Sequence, residues 1–127
     1  MTRALFDTDV IIDYLRGDKQ AIDYFESFDG DFYISAITIA ELYSGVKGVQ
    51  EREELDYFTS LFSVLPLTSE IAIVGGLLRK KWHASGGMGL ADALIAATAN
   101  VHKMSLISLN EKHFGMLENL LVPYRKV

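Results

Sequence analysis

The chain has 127 residues, with 12 Lys plus Arg against 17 Asp plus Glu and a formal net charge of −5. That length suits one domain, over residues 1–127, with a real hydrophobic core, and the lack of cysteine excludes disulfides and thiolate metal sites. The acidic balance works against long-range attraction to nucleic acid, although bound cations can reverse the sign locally.

Met1-Thr2-Arg3 leads straight into an apolar run with no signal-peptide pattern. The longest apolar run, Ile71 to Leu78, is too short to span a bilayer. The expectation is a soluble, cytoplasmic protein with no membrane contact. Residues 3–7 read as a buried first strand, which ends in a carboxylate, Asp7. Val10, Ile11, Tyr14 and Leu15 form a helical stripe closed by Gly17. A second helix is expected over residues 19–28, a turn at "FDGD", and strand two at "FYISA", 32–36.

"ITIAELYSGVKG" reads as helical, with Thr38 as its cap and Gly48 as its stop. "QEREELDYFTSLFSV" is an amphipathic helix with Leu55, Phe58, Leu61 and Phe62 on one face, followed by a brief third strand at "VLPL". "TSEIAIVGGLLRKKWHASGG" is a long helix opened by Thr68 or Ser69, and "GGMG" is a loop. "LADALIAATANVHK" is a helix dense enough in alanine to pack closely on a neighbour. "SLISL", 105–109, is strand four, "EKHFGML" a short helix, and "LLVPY" a fifth strand whose Pro123 suits an edge. Strands alternate with helices, which predicts an α/β fold with a parallel sheet covered on both sides.

In open α/β sheets chemistry collects beyond the carboxyl ends of the strands. Asp7 ends strand one, Asn110 follows strand four, Glu41 lies near the start of the helix after strand two, and Asp92 opens the helix leading into strand four. If strands one and four are neighbours, all four side chains reach one edge. Crowded carboxylates raise each other's pKa unless a cation binds, and hard divalent metals such as Mg²⁺ take oxygen ligands. A metal ion is therefore the expected partner of Asp7. Simpler readings stand beside this one. Asp9 or Thr8 caps the first helix, Asp92 caps its own, and Glu41 is an exposed helix residue. Arg79 to His83 grips phosphate or is a solvated helix end, and Trp82 stacks a base or belongs to the core. His83, His102 and His113 read as structural or surface residues.

Taken together, "LFDTDVIIDYLRG" (5–17), "ISAITIAELYSGV" (34–46), "GLADALIAATA" (89–99) and "LISLNEKHF" (106–114) resemble the PIN-domain ribonucleases, and within them the VapC-type toxins of toxin–antitoxin pairs. The resemblance covers essentially the whole chain. It implies a PIN-like three-layer α/β fold with a central parallel sheet in the order 3-2-1-4-5. It also implies metal-dependent endoribonuclease activity, with Asp7, Glu41 and Asp92 holding Mg²⁺, or Mn²⁺, and Thr8 and Asn110 orienting water or a carboxylate. His113 stands where some members carry another acid, which leaves three carboxylates and puts a second metal in doubt. The implied partners are an RNA substrate, a cognate antitoxin and a second copy in a homodimer. Some of the many helical aromatics must line the core; Tyr14, Phe28 or Tyr57, if kept outside it, is expected to line an antitoxin groove beside Asp7, where a basic residue of the antitoxin meets Glu41 or Asp92. Two alternatives remain at this point: a haloacid-dehalogenase-type phosphatase using the "DxD" opening, and a non-catalytic PIN-like binding module.

Overall fold

A computed structural model describes residues 2–83 and 87–126. The end of the expected long helix, Ala84 to Gly86, lies outside the described residues, as does the start of the "GGMG" loop. Five strands, β1 (Thr2–Phe6), β2 (Gly30–Ser35), β3 (Ser63–Leu65), β4 (Ser105–Ile107) and β5 (Leu120–Leu121), form one sheet. Its order is β3-β2-β1-β4-β5, and every neighbouring pair runs parallel. The register sets Phe6 opposite Ile107, so the ends of β1 and β4 lie side by side.

Among the described residues seven helices connect the strands: α1 (Thr8–Leu15), α2 (Lys19–Ser27), α3 (Ala36–Ser44), α4 (Gly48–Ser60), α5 (Ser69–Trp82), α6 (Leu90–Val101) and α7 (Glu111–Phe114). Side chains alternate across a strand, and here that alternation divides the core in two. Ala4, Phe6 and Ile107 face a cluster with Val10, Ile11, Leu42, Leu55 and Phe58. Leu5 and Leu106 face the other way, onto Ala93, Ala96, Ala99, Met88 and Phe114. The result is a three-layer sandwich whose central strand is buried on both faces. Each large side chain buried there contributes about 1.5–3 kcal/mol.

The first layer is aromatic. Phe6 stacks on Phe25 at 4.9 Å between centroids and meets Phe28 edge-on at 5.2 Å. Tyr14 stacks on Phe58 at 5.3 Å. Tyr14 and Phe28 are thus core packing residues, which corrects their expected place in a docking groove. Only Tyr57 of that trio stands out in solvent, 70 % exposed.

Three helix boundaries differ from expectation for local reasons. Ser35 caps α3 by accepting from the Ile37 amide, so Thr38 is an interior residue and fully buried. Gly45 ends α3; Gly48, at φ +80°, opens α4, a conformation glycine adopts without steric cost. Leu61 falls just past the end of α4 and is exposed, leaving Leu55, Phe58 and the half-buried Phe62 to pack inward. Thr68 caps α5 through the Ile71 amide. Among the described residues no helix is long and apolar enough to cross a membrane.

Candidate active site

Asp7 follows the last residue of β1, and its amide donates to the Ile107 carbonyl at 2.9 Å, extending the ladder by one bond. Asp7 is also the N-cap of α1: its Oδ1 accepts from the Thr8 amide at 2.8 Å. The role expected of Asp9 is therefore filled by Asp7. Asp9 instead ties α1 to the far end of the chain. Its Oδ2 accepts from the Leu109 amide at 3.1 Å, and its Oδ1 from the Val10 amide at 2.7 Å.

Ser108, fully buried at the end of β4, stands between the two acids. Its hydroxyl donates to Asp7 Oδ2 at 2.7 Å and lies 3.3 Å from Asp9 Oδ2. A hydroxyl carries one proton, so the shorter bond to Asp7 takes it, while the Ser108 oxygen accepts from the Asn110 amide at 3.0 Å. Sequence reasoning assigned Ser108 no place in this site. Its position two residues before Asn110, at a strand end, was the available signal.

Glu41 reaches the cluster through hydroxyls. Thr8 Oγ1 donates to Glu41 Oε1 at 2.6 Å and lies 3.0 Å from Thr38 Oγ1. The single Thr8 proton thus faces two acceptors, and the shorter contact, to Glu41, takes it. On the opposite side, Gly89 takes the N-cap position of α6, so Asp92 is a first-turn residue rather than a cap. The Asp92 Oδ2 lies 2.8 Å from His113 Nδ1. His113, read from sequence as structural or surface, is thus a direct partner of a candidate ligand. Asn110 caps α7 by accepting from the His113 amide at 3.1 Å, which aims the ring. A ring that donates from Nδ1 to Asp92 cannot also accept there from Asn110 Nδ2, 3.1 Å away.

The charges set the chemistry. Asp7 is 5 % exposed, and no Lys or Arg pairs with it among the described residues. Burial first, then the neighbouring Asp9 charge, push its carboxyl up to about 7, with Asp92 adding to the push. Hydrogen bonds from Ser108 and Thr8 hold it back in part. Asp9 is raised too, again mainly by burial. Asp7 thus calls for a proton or a cation. Among the described residues no three acids or histidines already stand at ligand spacing around one point. The donor set still fits a hard divalent ion: it is all oxygen, and Glu41 Oε2 and Asp92 Oδ1 carry no protein partner among the described hydrogen bonds.

South of this cluster a groove of about 560 Å³ runs between α1, α3 and α4. Ile12, Leu15, Leu42, Val46 and Leu55 line it, Glu41 stands at its edge, and Arg16, Lys47, Glu51 and Glu54 supply its charge. Arg79 to His83, read from sequence as a phosphate grip or a solvated helix end, lies away from these acids. Lys81 and Trp82 line a second cavity of about 510 Å³ with Lys103, Ser105 and Asn119, at the amino ends of β4 and β5. Lys81 Nζ sits 5.0 Å from the Trp82 ring centroid, and Trp82 packs partly on the core.

A parallel sheet in this order, with acids gathered beyond β1 and β4, defines a PIN-like fold. The family model described as "PIN domain" matches residues 4–116, and the chain belongs to that family, in the branch of the VapC ribonuclease toxins. It is 40 % identical over 123 residues to ribonuclease VapC10 of Mycobacterium tuberculosis, covering 94 % of this chain and 92 % of the relative. Ribonuclease VapC1 of Rickettsia felis is 32 % identical over 126 residues, covering 93 % and 92 %. Among solved structures, a toxin–antitoxin complex from Klebsiella pneumoniae aligns with a TM-score of 0.87 and 31 % identity, covering 98 % of this chain and 100 % of that one. FitAcB from Neisseria gonorrhoeae aligns with a TM-score of 0.79 and 26 % identity, covering 95 % and 98 %. The phosphatase reading falls with this family assignment.

Proposed function

We propose that this protein is a divalent-metal-dependent endoribonuclease, the toxin of a toxin–antitoxin pair, with Asp7, Glu41 and Asp92 as the metal-holding acids. The observation that carries this reading is Asp7: a buried carboxyl at the joined ends of β1 and β4, without a cationic partner among the described residues and pushed up by burial, then by Asp9 and Asp92. Bound there, Mg²⁺ or Mn²⁺ supplies Lewis-acid neutralisation of the charge that develops on a phosphodiester during in-line attack. The chain's own groups hold the acids in place. Ser108 fixes Asp7 Oδ2, Thr8 fixes Glu41 Oε1, and His113 fixes Asp92 Oδ2. Such outer contacts set the orientation of the ligating oxygens. Asn110 acts through the turn it caps, by aiming His113.

The test is cleavage of RNA by the purified chain, freed of any bound partner, with Mg²⁺ or Mn²⁺. Activity should disappear with chelator and in Asp7→Asn and Asp92→Asn, with both variants still folded. A wild-type rate from Asp7→Asn under controlled metal overturns the assignment.

The groove between α1, α3 and α4 is the proposed seat of an antitoxin segment. Its apolar floor suits an amphipathic occupant. The Glu41, Glu51 and Glu54 carboxylates favour a basic residue at its end. Exposed Ile73 and Leu77 on α5, one turn apart with Gly76 between them, and exposed Leu90 at the start of α6 suit the proposed homodimer. Ile73→Asp with Leu77→Asp should yield a monomer in sedimentation; an unchanged dimer places the contact elsewhere.

A further inference from the structure

RNA has to be held against an acidic cleft in a chain of net charge −5, so the cations beside that cleft matter more than the total. Most described cations are placed elsewhere. Lys81 and Lys103 lie at the amino end of the sheet. Arg3 sits near the start of β1, its guanidinium 5.6 Å from the Tyr33 ring centroid. Lys19 and Arg52 are paired within their own helices, and Arg16 and Lys47 line the groove.

Residues 124–126 are different. Tyr124 Oη donates to Asp13 Oδ2 at 2.9 Å, and Lys126 Nζ to Asp13 Oδ1 at 2.9 Å. Asp13 is one helical turn beyond Asp9 on α1 and is 7 % exposed. Arg125 pairs with Glu111, the residue that follows Asn110, and its carbonyl accepts from Gln20 Nε2 at 3.4 Å. The segment therefore bridges two elements that border the site: α1, which follows Asp7 and carries Thr8 and Asp9, and α7, which carries His113. Burial, then the hydrogen bond to Asp13 and the charges of Asp13, Asp18 and Asp9, push the Tyr124 hydroxyl up.

We infer that Arg125 and Lys126 are the RNA-backbone contacts on this side of the cleft, taking phosphates that flank the scissile bond; this rests on the ribonuclease reading above. Both side chains are more than half exposed, and exposed ion pairs are weak bonds that can be exchanged for phosphate. The double partnering of Asp13 makes the exchange workable. When Lys126 leaves, the Tyr124 hydroxyl still satisfies the buried carboxylate.

The experiment measures binding, not cleavage. Asp7→Asn protein is titrated into fluorescein-labelled single-stranded RNA, followed by anisotropy over a range of KCl. Added to that background, Arg125→Gln and Lys126→Gln should each weaken binding severalfold and each lower the slope of log K against log salt by about 0.7. Lys126→Arg should restore the slope. Tyr124→Phe should lower the melting temperature and leave the slope alone, which separates phosphate contact from clamping. RNA binding with an unchanged slope in both Gln variants overturns this inference alone. No RNA binding by the Asp7→Asn parent or by the unsubstituted chain overturns the ribonuclease reading with it.

Discussion

The two ends of the sheet carry opposite charge, and they reach it by opposite means. At the carboxyl end, Asp7, Asp9 and Asp92 are half-buried to buried, close enough for each of the other two to raise Asp7, and held by hydroxyls, amides and an imidazole. At the amino end, Lys81 and Lys103 keep solvent access around a cavity of similar size, beside Glu118. The acidic end stores unfavourable charge that a ligand can relieve, whereas Lys81 and Lys103 keep theirs in solvent. Burial of uncompensated charge, rather than cavity size, is what separates a candidate site from a surface recess.

The largest effect should come from removing that stored charge. Asp7→Asn should lower metal-dependent RNA cleavage by about a hundredfold or more, read from initial rates at fixed Mn²⁺. The same variant tests the pH behaviour. The Asp7 carboxyl stands at about 7 in the folded chain, against 3.8 ordinarily. Between those values the folded state keeps a proton that the unfolded chain has released. Metal-free stability should therefore fall as pH rises through that window. Mn²⁺ competes with the same proton, so its affinity should rise with pH and level off near 7. Thermal melts and calorimetry should show both slopes flattened in Asp7→Asn.

Next in size is Ser108→Ala, which frees Asp7 Oδ2 without touching a ligand. It should weaken Mn²⁺ binding by about tenfold, with Ser108→Thr restoring much of it. Smaller still is the groove. Leu15→Asp should weaken antitoxin binding by about 1 kcal/mol, close to fivefold, and Tyr57→Asp should leave it unchanged, because Tyr57 does not line the groove. Equal losses from both would place the antitoxin across α4 instead. Smallest of all, Lys81→Ala with Lys103→Ala should change RNA cleavage by less than about twofold, as the phosphate contacts lie at the other end. A larger loss would show that RNA wraps around to the amino end.

The alternation of strands and helices was legible in periodic stretches, and the sheet order followed from the family resemblance; the sequence also pointed to Asp7, Glu41 and Asp92 as side chains at one edge of the sheet. The partners of those acids were not legible. Ser108 meets Asp7 across 101 residues and Lys126 meets Asp13 across 113, separations at which no local pattern reports contact. Asp9 was misread as a cap because capping preference ranks residue types and does not see that Asp7 already has the extended backbone of a cap. Tyr14 and Phe28 were misread as groove residues because helical spacing shows which face is apolar and not how thick the layer beneath it is. Here that layer takes up a whole aromatic cluster.

The neighbourhood of Asp7 and Ser108 also has an order of assembly, because its parts lie 101 residues apart in the chain. A ribosome that has delivered Asp7, Glu41 and Asp92 has made every proposed ligand, but β1 still lacks its second neighbour until β4 emerges. Before then nothing supplies the Ser108 hydroxyl or the Leu109 amide, and nothing clamps Asp13. Long-range pairings of this kind form late, because loop closure must be paid before the contact is gained. The hydroxyl, the amide and the clamp that hold Asp7, Asp9 and Asp13 therefore come from the part of the chain made after all three acids.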